Sequence, residues 1–313
     1  MRSKDETNIP PGWSQNPASW SQRLPIVGLA LVGMGIAGYL ALYQYEVIPS
    51  VWEPFFADGS AVILNSPLSR ILTISDGALG AFAYFLDAAA GLIGGDKRWR
   101  SMPWIVIVFG VLIGPLGAVS IGLVIAQPVL YQSWCTLCLL TAFISLCMVG
   151  PAMDEVLASI QFLRRVKRNA PERFWDAFFG KYDDSMINGG IGEMDKRTNR
   201  KAGIYWPGII NTFLGVWIMI SPAVFGYGMS ASANDHIIGP LAVSFAFISL
   251  WEVLRSCRLV NIVFGIWMLL AAFLLPYPQA AIVNNALTGT ALIIFSLPKG
   301  RIKNSYGGGW GGS

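Results

Sequence analysis

Long runs without a formal charge are what most limits the folds open to this chain: 24–45, 77–95 (interrupted by Asp87), 101–153, 206–234, 236–251 and 259–298. A helix rises about 1.5 Å per residue, so about 20 apolar residues cross roughly 30 Å of hydrocarbon. The third and last runs are long enough for two helices each. Breaks at AQPVLYQSW and PYPQA give about eight spans, near 25–46, 77–95, 103–125, 134–152, 206–228, 237–254, 259–276 and 280–297. The pattern predicts an all-α polytopic membrane protein. Composition agrees, since 54% hydrophobic and 13% charged residues over a 313-residue chain describe no ordinary soluble globule. The first run follows a polar leader and lacks a small-residue cleavage signal, so it reads as an anchor.

With the N-terminus in the cytoplasm, 21 of the 22 lysines and arginines fall on inner segments, and only Arg70 lies outside. That asymmetry predicts a multi-pass protein of a bacterial inner membrane with both termini cytoplasmic. It also accounts for the net charge of +4, so membrane lipids are the implied surroundings and no nucleic acid is called for.

The runs divide into a tail (1–23), a four-span block (24–153), a basic linker (154–205), a second four-span block (206–298) and a Gly-rich tail (299–313). In the linker, DEVLASIQFLRRVKR and ERFWDAFFGKY carry apolar residues at helical spacing beside basic ones, as expected of helices lying on an anionic leaflet. NGGIGEMDKRTNRKAG and the tail SYGGGWGGS read as flexible connectors.

The second block is internally duplicated. IINTFLGVWIMISPAVFGYG and LVNIVFGIWMLLAAFLLPYP align at an offset of 50, pairing Asn211 with Asn261, Gly215 with Gly265, Trp217 with Trp267 and Tyr227 with Tyr277. The register continues through Asn234/Asn284 and Gly239/Gly289. Two spans per unit make both copies face the same way, which predicts a pseudo-axis along the membrane normal. ISPAVFGYG, with Trp217 before it and Asn234 after it, resembles the SPW-repeat membrane domain. The paired asparagines and glycines are read as helix packing rather than ligand binding. His236, the only histidine, stands beside Asp235 with too few nitrogen or sulfur ligands near it for a metal.

The chemistry-bearing motif is SWCTLC at 133–138, which opens the fourth span. Cys135 and Cys138 are i and i+3 on one helical face, close enough to form or open a disulfide with little backbone movement. At a helix N-terminus the exposed N–H groups and the dipole favour a thiolate, at Cys135 above all. A second pair, which structural zinc would need, is absent from the sequence. A fixed disulfide would close only a small loop already ordered by the helix, so a redox role is preferred. Cys147 lies deeper in the same helix and Cys257 on the cytoplasmic side; neither is placed to pair with them. In the assigned topology the pair lies at the outer end of the fourth span, where a quinone of the ubiquinone or menaquinone type can approach from lipid, and a protein thiol from water. Thiol oxidation coupled to quinone reduction would then proceed through mixed disulfides.

The order of features in 20–153 resembles the vitamin K epoxide reductase family: a first span, FFADGSAVILNSPLSRI, a second span opening DGALGAFAYF, and WCTLC at the fourth. The resemblance implies that Cys135 takes electrons from a periplasmic thioredoxin-like thiol protein, that Cys138 faces the quinone, and that Ser66 is the loop serine near it. It also implies two shuttle cysteines in the outer segment. Here Ser60 stands where one belongs, and 46–76 contains no cysteine. Asp76, at the start of the second span, is a further cofactor-binding candidate or an ordinary cap. Asp87 is costly ten residues into a span unless it faces a cavity or partner, and so is a proton-linked candidate. The leading expectation is a membrane thiol:quinone oxidoreductase using no metal. The alternative is a non-enzymatic scaffold or a lipid- or quinone-binding protein with a structural or vestigial CxxC.

Overall fold

A computed structural model describes residues 9–70, 74–181 and 203–304 of the chain, and these fold into helices joined by turns and by a longer segment between residues 45 and 75. The helices are α1 (Trp20–Gln44), α2 (Gly59–Leu64), α3 (Asp76–Leu92), α4 (Arg98–Ser101), α5 (Pro103–Tyr131), α6 (Thr136–Asn169), α7 (Phe174–Phe178), α8 (Trp206–Phe225), α9 (Met229–Ile248), α10 (Val260–Leu274) and α11 (Gln279–Ser296). Among the described residues six helices are long and apolar enough to cross a membrane: α1, α5, α6, α8, α10 with the 3₁₀ turn before it, and α11. The other two expected spans are helices that fall short of that measure. α3 has 17 residues, and α9 carries Asn234, Asp235 and His236 in its N-terminal half. Each packs lengthwise on a qualifying neighbour, α3 on α1 and α9 on α8. The all-α polytopic fold therefore holds. Its outward faces are apolar, with Phe213 and Phe273 among the most exposed side chains.

In the N-terminal half α1, α3, α5 and α6 close around Tyr84, Phe109, Ile113 and Met148. The Tyr84 hydroxyl reaches across to donate to the Thr141 carbonyl at 2.7 Å. At the end of this bundle remote from the CxxC, α3 stops beneath two buried guanidinium groups. Arg23 donates to the carbonyls of Gly91 (2.9 Å), Ile93 (2.9 Å) and Gly94 (2.8 Å). Arg98 donates to those of Ala90 (2.6 Å) and Ile93 (2.9 Å), and forms a two-pronged pair with Glu155, Nη2 to Oε2 at 2.5 Å. Cations suit the carbonyl end of a helix, where its backbone acceptors and the negative pole of its dipole meet. Two of the residues counted towards orientation thus serve as buried helix caps.

α6 departs from expectation. The span placed at 134–152 was to end before a separate surface helix, but the segment DEVLASIQFLRRVKR continues α6 unbroken to Asn169, 34 residues in all. The reason is packing. Leu157, Ala158, Phe162, Leu163 and Val166 bury against Trp13, Trp99 and Ala177 in a second core, and the Trp13 indole donates to Gln161 at 2.9 Å. The boundary drawn at 153 falls inside this helix. ERFWDAFFGKY begins as a 3₁₀ turn and α7, with Trp175 and Phe179 exposed. The connector between Tyr182 and Ala202, like the tail from Ser305, lies outside the described residues.

The second half uses its repeat reciprocally. The Trp217 indole donates to Asn284 at 2.8 Å, and its counterpart Trp267 donates to Asn234 at 2.7 Å. Asn211 donates to the Leu292 carbonyl at 3.4 Å, and its counterpart Asn261 to the Ala242 carbonyl at 3.2 Å. Each donor and its acceptor map onto the other pair by the offset of 50, so the two units are related by a two-fold exchange. The symmetry breaks where Asp235 faces Asn285 in the alignment. The buried Asp235 accepts from both repeat tyrosines, Tyr227 and Tyr277, the latter at 2.6 Å. This half packs against the first through α9 on α5 and α6. Phe247 meets Phe143, and the Trp251 ring lies against Gly150, where a Cβ would sit 2.0 Å from it.

Candidate redox site

α5 ends in a left-handed residue, Gln132 (φ 50°), and the chain turns through Ser133 and Trp134 into α6. Cys135 is the N-cap of α6. Its backbone is extended (φ −119°, ψ 112°), and its sulfur accepts the Cys138 N–H at 3.2 Å. That places the two sulfurs together, and they form a disulfide with Cα atoms 5.2 Å apart. The buried Gln127, about one turn before the end of α5, accepts the Cys135 N–H at 2.8 Å. Leu40, Ile63, Leu64 and Leu137 surround the pair with a small core of their own.

On one side the segment between α1 and α3 covers the disulfide. Glu53 is its fastening point. The carboxylate accepts from the Thr136 N–H at 2.9 Å, the Thr136 hydroxyl, the Ser60 hydroxyl, and the N–H groups of Phe55 (3.2 Å) and Phe56 (3.3 Å). Partial burial pushes its pKa up, but the donors from Ser60 and Thr136 outweigh that and hold it at about 2 instead of 4.5. Gly59 seats directly on the Trp134 carbonyl, 2.1 Å from where a Cβ would stand. The tyrosines of α1 hold the rest, Tyr39 taking the Trp52 N–H at 3.0 Å and Tyr43 the Asn65 amide at 3.1 Å. Cys135 is fully buried beneath this cover, whereas Cys138 is half-buried.

On the other side Cys138 opens onto a cavity of about 40 Å³ lined also by Ser66, Ser69, Asp76, Gln127 and Tyr131. Two sequence-derived candidates, Ser66 and Asp76, therefore share a cavity with one of the sulfurs. Ser66 takes the Ser69 N–H at 3.4 Å, and Tyr131 takes the Leu68 N–H at 3.2 Å. Ser75, not Asp76, is the N-cap of α3; Asp76 receives the Gln44 amide at 2.5 Å. Asp87 is not brought to this site. It lies eleven residues along α3, about 17 Å of helix rise, buried, with neither carboxyl oxygen hydrogen-bonded. Cys147 and Cys257 are free thiols elsewhere.

Several contributors were not singled out from the sequence. Gln127 and Tyr131 precede Cys135 by eight and four residues, which puts them on one face of α5 looking at the CxxC. Glu53 is the lone acid in VWEPFF, an anomaly that could have drawn attention. His236 of α9 meets the edge of Trp134, ring centroids 5.5 Å apart, and a cleft of about 500 Å³ lies beside them between the two halves. No local pattern foretells that contact, which joins residues a hundred positions apart.

Four packed helices, a capping segment and a CxxC at the start of the last helix are thus all in the first half. Residues 24–152 match the vitamin K epoxide reductase family. Residues 205–299, the reciprocal repeat, match the SPW repeat domain. No curated protein and no solved structure matches the chain. In the first matched block the disulfide is thus enclosed between the Glu53 cover and the Ser66–Asp76 cavity. Ser60, which occupies a shuttle-cysteine position by resemblance, donates its hydroxyl to Glu53.

Proposed function

We propose that this protein is a membrane thiol:quinone oxidoreductase. The observation that carries the reading is the placement of one disulfide between two environments, a largely apolar cavity at Cys138 that also holds Ser66, Asp76 and Tyr131, and a covering segment over Cys135 fastened by Glu53. The match of residues 24–152 to the vitamin K epoxide reductase family supports oxidoreductase chemistry. In the proposed step a thiolate of an extracytoplasmic, thioredoxin-like partner attacks the Cys135 sulfur, breaking its bond to Cys138 and leaving a mixed disulfide and a Cys138 thiolate. The partner's second thiol then displaces Cys135, so the partner leaves oxidised and the CxxC is a dithiol. The quinone accepts two electrons and two protons as the disulfide re-forms.

The Ser66 and Tyr131 hydroxyls would donate to a quinone oxygen, and Asp76, on the same cavity, would do so only when it carries a proton, with Cys138 beside them. A cavity of about 40 Å³ has room for little more than one water, so quinone entry requires the Ile63–Ser69 wall to move outward. Attack at Cys135 likewise requires the cover to lift. Asp87 is too far along α3 for direct proton exchange with the cavity and has no part in this step. The distribution of basic residues supports an inner-membrane placement with cytoplasmic termini and the CxxC at the outer face. The domain limits drawn from the sequence stay as proposed, with the first block's end running on into α6.

Complete burial of Cys135 and the absence of cysteine in 46–76 favour a second reading, a scaffold with a fixed disulfide. Trapping the thiols by alkylation in membranes, after reduction and again after adding a short-chain quinone, decides between the two. Quinone-dependent reoxidation of Cys135 and Cys138 is the expected result. A pair that resists mild reductant, or that stays reduced when quinone is present, refutes the oxidoreductase.

A further inference from the structure

The carboxylate nearest the CxxC turn is bound to the wrong end of α6 for a thiolate's benefit. Thr136 is the first residue of that helix, and both its N–H and its hydroxyl are given to Glu53. Cys135, the preceding residue, draws on the same helix end through the Cys138 N–H. While the disulfide is closed only one negative charge occupies this positive pole. Once it opens, a Cys135 thiolate would be a second anion at the same place. The pole of a helix dipole amounts to about half an elementary charge, too little to neutralise both. Asp76 of α3 and Tyr131 of α5 look onto the dithiol from the cavity side, and His236 of α9 stands behind Trp134. None of these supplies a fixed cation.

We infer that Glu53 is a positioning residue of the redox site, fastening the cover over Cys135 and, by its charge, keeping the reduced Cys135 protonated. This rests on the redox reading above and adds to it how the site avoids unwanted exchange. Reduction converts the disulfide to two thiols with two electrons and two protons. Exchange with other disulfides needs the thiolate. A covered, protonated Cys135 therefore keeps its electrons for the cavity side instead of losing them to disulfides in water. Where the resemblance implies a shuttle cysteine, Ser60 is joined to the turn through Glu53.

The test uses the full chain in detergent with Cys138, Cys147 and Cys257 replaced by serine, so that alkylation of Cys135 alone is followed against pH. Glu53→Gln keeps the shape and removes the charge. Its alkylation midpoint should fall by about one pH unit, a tenfold gain in thiolate at fixed pH below the midpoint. Thr136→Val keeps the charge and loosens the cover, so it should raise the rate at every pH without that fall in midpoint. Ser60→Ala removes a donor from the carboxylate and leaves more of its charge unneutralised, so the midpoint should move upward; this arm stands even where Glu53→Gln does not fold. An unchanged midpoint in Glu53→Gln, an equal fall in Thr136→Val, or a downward shift in Ser60→Ala overturns the inference. The assay needs neither quinone nor partner, so its outcome is separate from failure of quinone-dependent reoxidation.

Discussion

Replacing Gly59 by alanine puts a methyl carbon 2.1 Å from the Trp134 carbonyl oxygen, where ordinary contact begins near 3.4 Å. The oxygen belongs to the backbone of the turn that carries Cys135, so it cannot swing aside as a side chain would. The start of α2 must retreat by the shortfall of about 1.3 Å. The Glu53 to Thr136 N–H bond, 2.9 Å long, then stretches beyond hydrogen-bonding reach. A hydrogen bond to a charged group is worth about 1.5–3 kcal/mol, so the open form of the cover gains about ten- to a hundredfold in population. Reduction of the disulfide by a water-soluble phosphine, followed by mass spectrometry of the alkylated protein, should speed up by that factor. Gly35→Ala is the matched control, because a Cβ there meets nothing within 4 Å. A Gly59→Ala protein that is folded and reduced within about twofold of the parent rate refutes the idea that this segment governs access to Cys135.

Three further outcomes are expected. Glu155→Gln leaves the fully buried Arg98 guanidinium without its counter-charge and should cost about 3–5 kcal/mol in detergent unfolding, while the double change Arg98→Met with Glu155→Leu recovers only part of it, because the Ala90 and Ile93 carbonyls lose a donor. The phosphine reaction of the parent protein should be flat from neutral pH down to about 5 and accelerate as pH falls from 4.5 towards about 2. The sign follows from a carboxyl whose pKa is depressed on folding: the closure it stabilises is complete above 4.5 and is lost as Glu53 takes up its proton. Trp217→Phe and Trp267→Phe should each lower stability by about 0.6–1.7 kcal/mol, and by similar amounts, since they break equivalent bonds to Asn284 and Asn234; thermal scans in detergent read the difference.

The helical, membrane-spanning character was legible because an apolar run long enough to cross a bilayer has few other uses. The CxxC could be placed at a helix start because AQPVLYQSW breaks the run just before it. Ser66 came from the resemblance and Asp76 from its place at the start of the second span, and the cavity both share with Cys138 is a matter of three-dimensional folding that spacing does not encode. The unbroken course of α6 was missed because a charged stretch after a span looks like an interfacial helix. What accompanies its unbroken course is the set of partners it buries, Trp13 and Trp99 from distant parts of the chain and Ala177 from the helix that follows. Glu53 was missed for a similar reason: its partners Ser60 and Thr136 are joined only by the fold.

The exchange of indole and amide between the two repeat units bears on how this half could have arisen and how it can be dissected. Each copy's tryptophan finds its acceptor on the other copy, at Asn284 and Asn234. A solitary unit embedded in lipid would carry both a donor and an acceptor without mates, in a medium that offers no substitute. The smallest autonomous piece is therefore the couple. An ancestral single copy would have had to self-associate before fusion, and expressing either half by itself should yield homodimers rather than monomers.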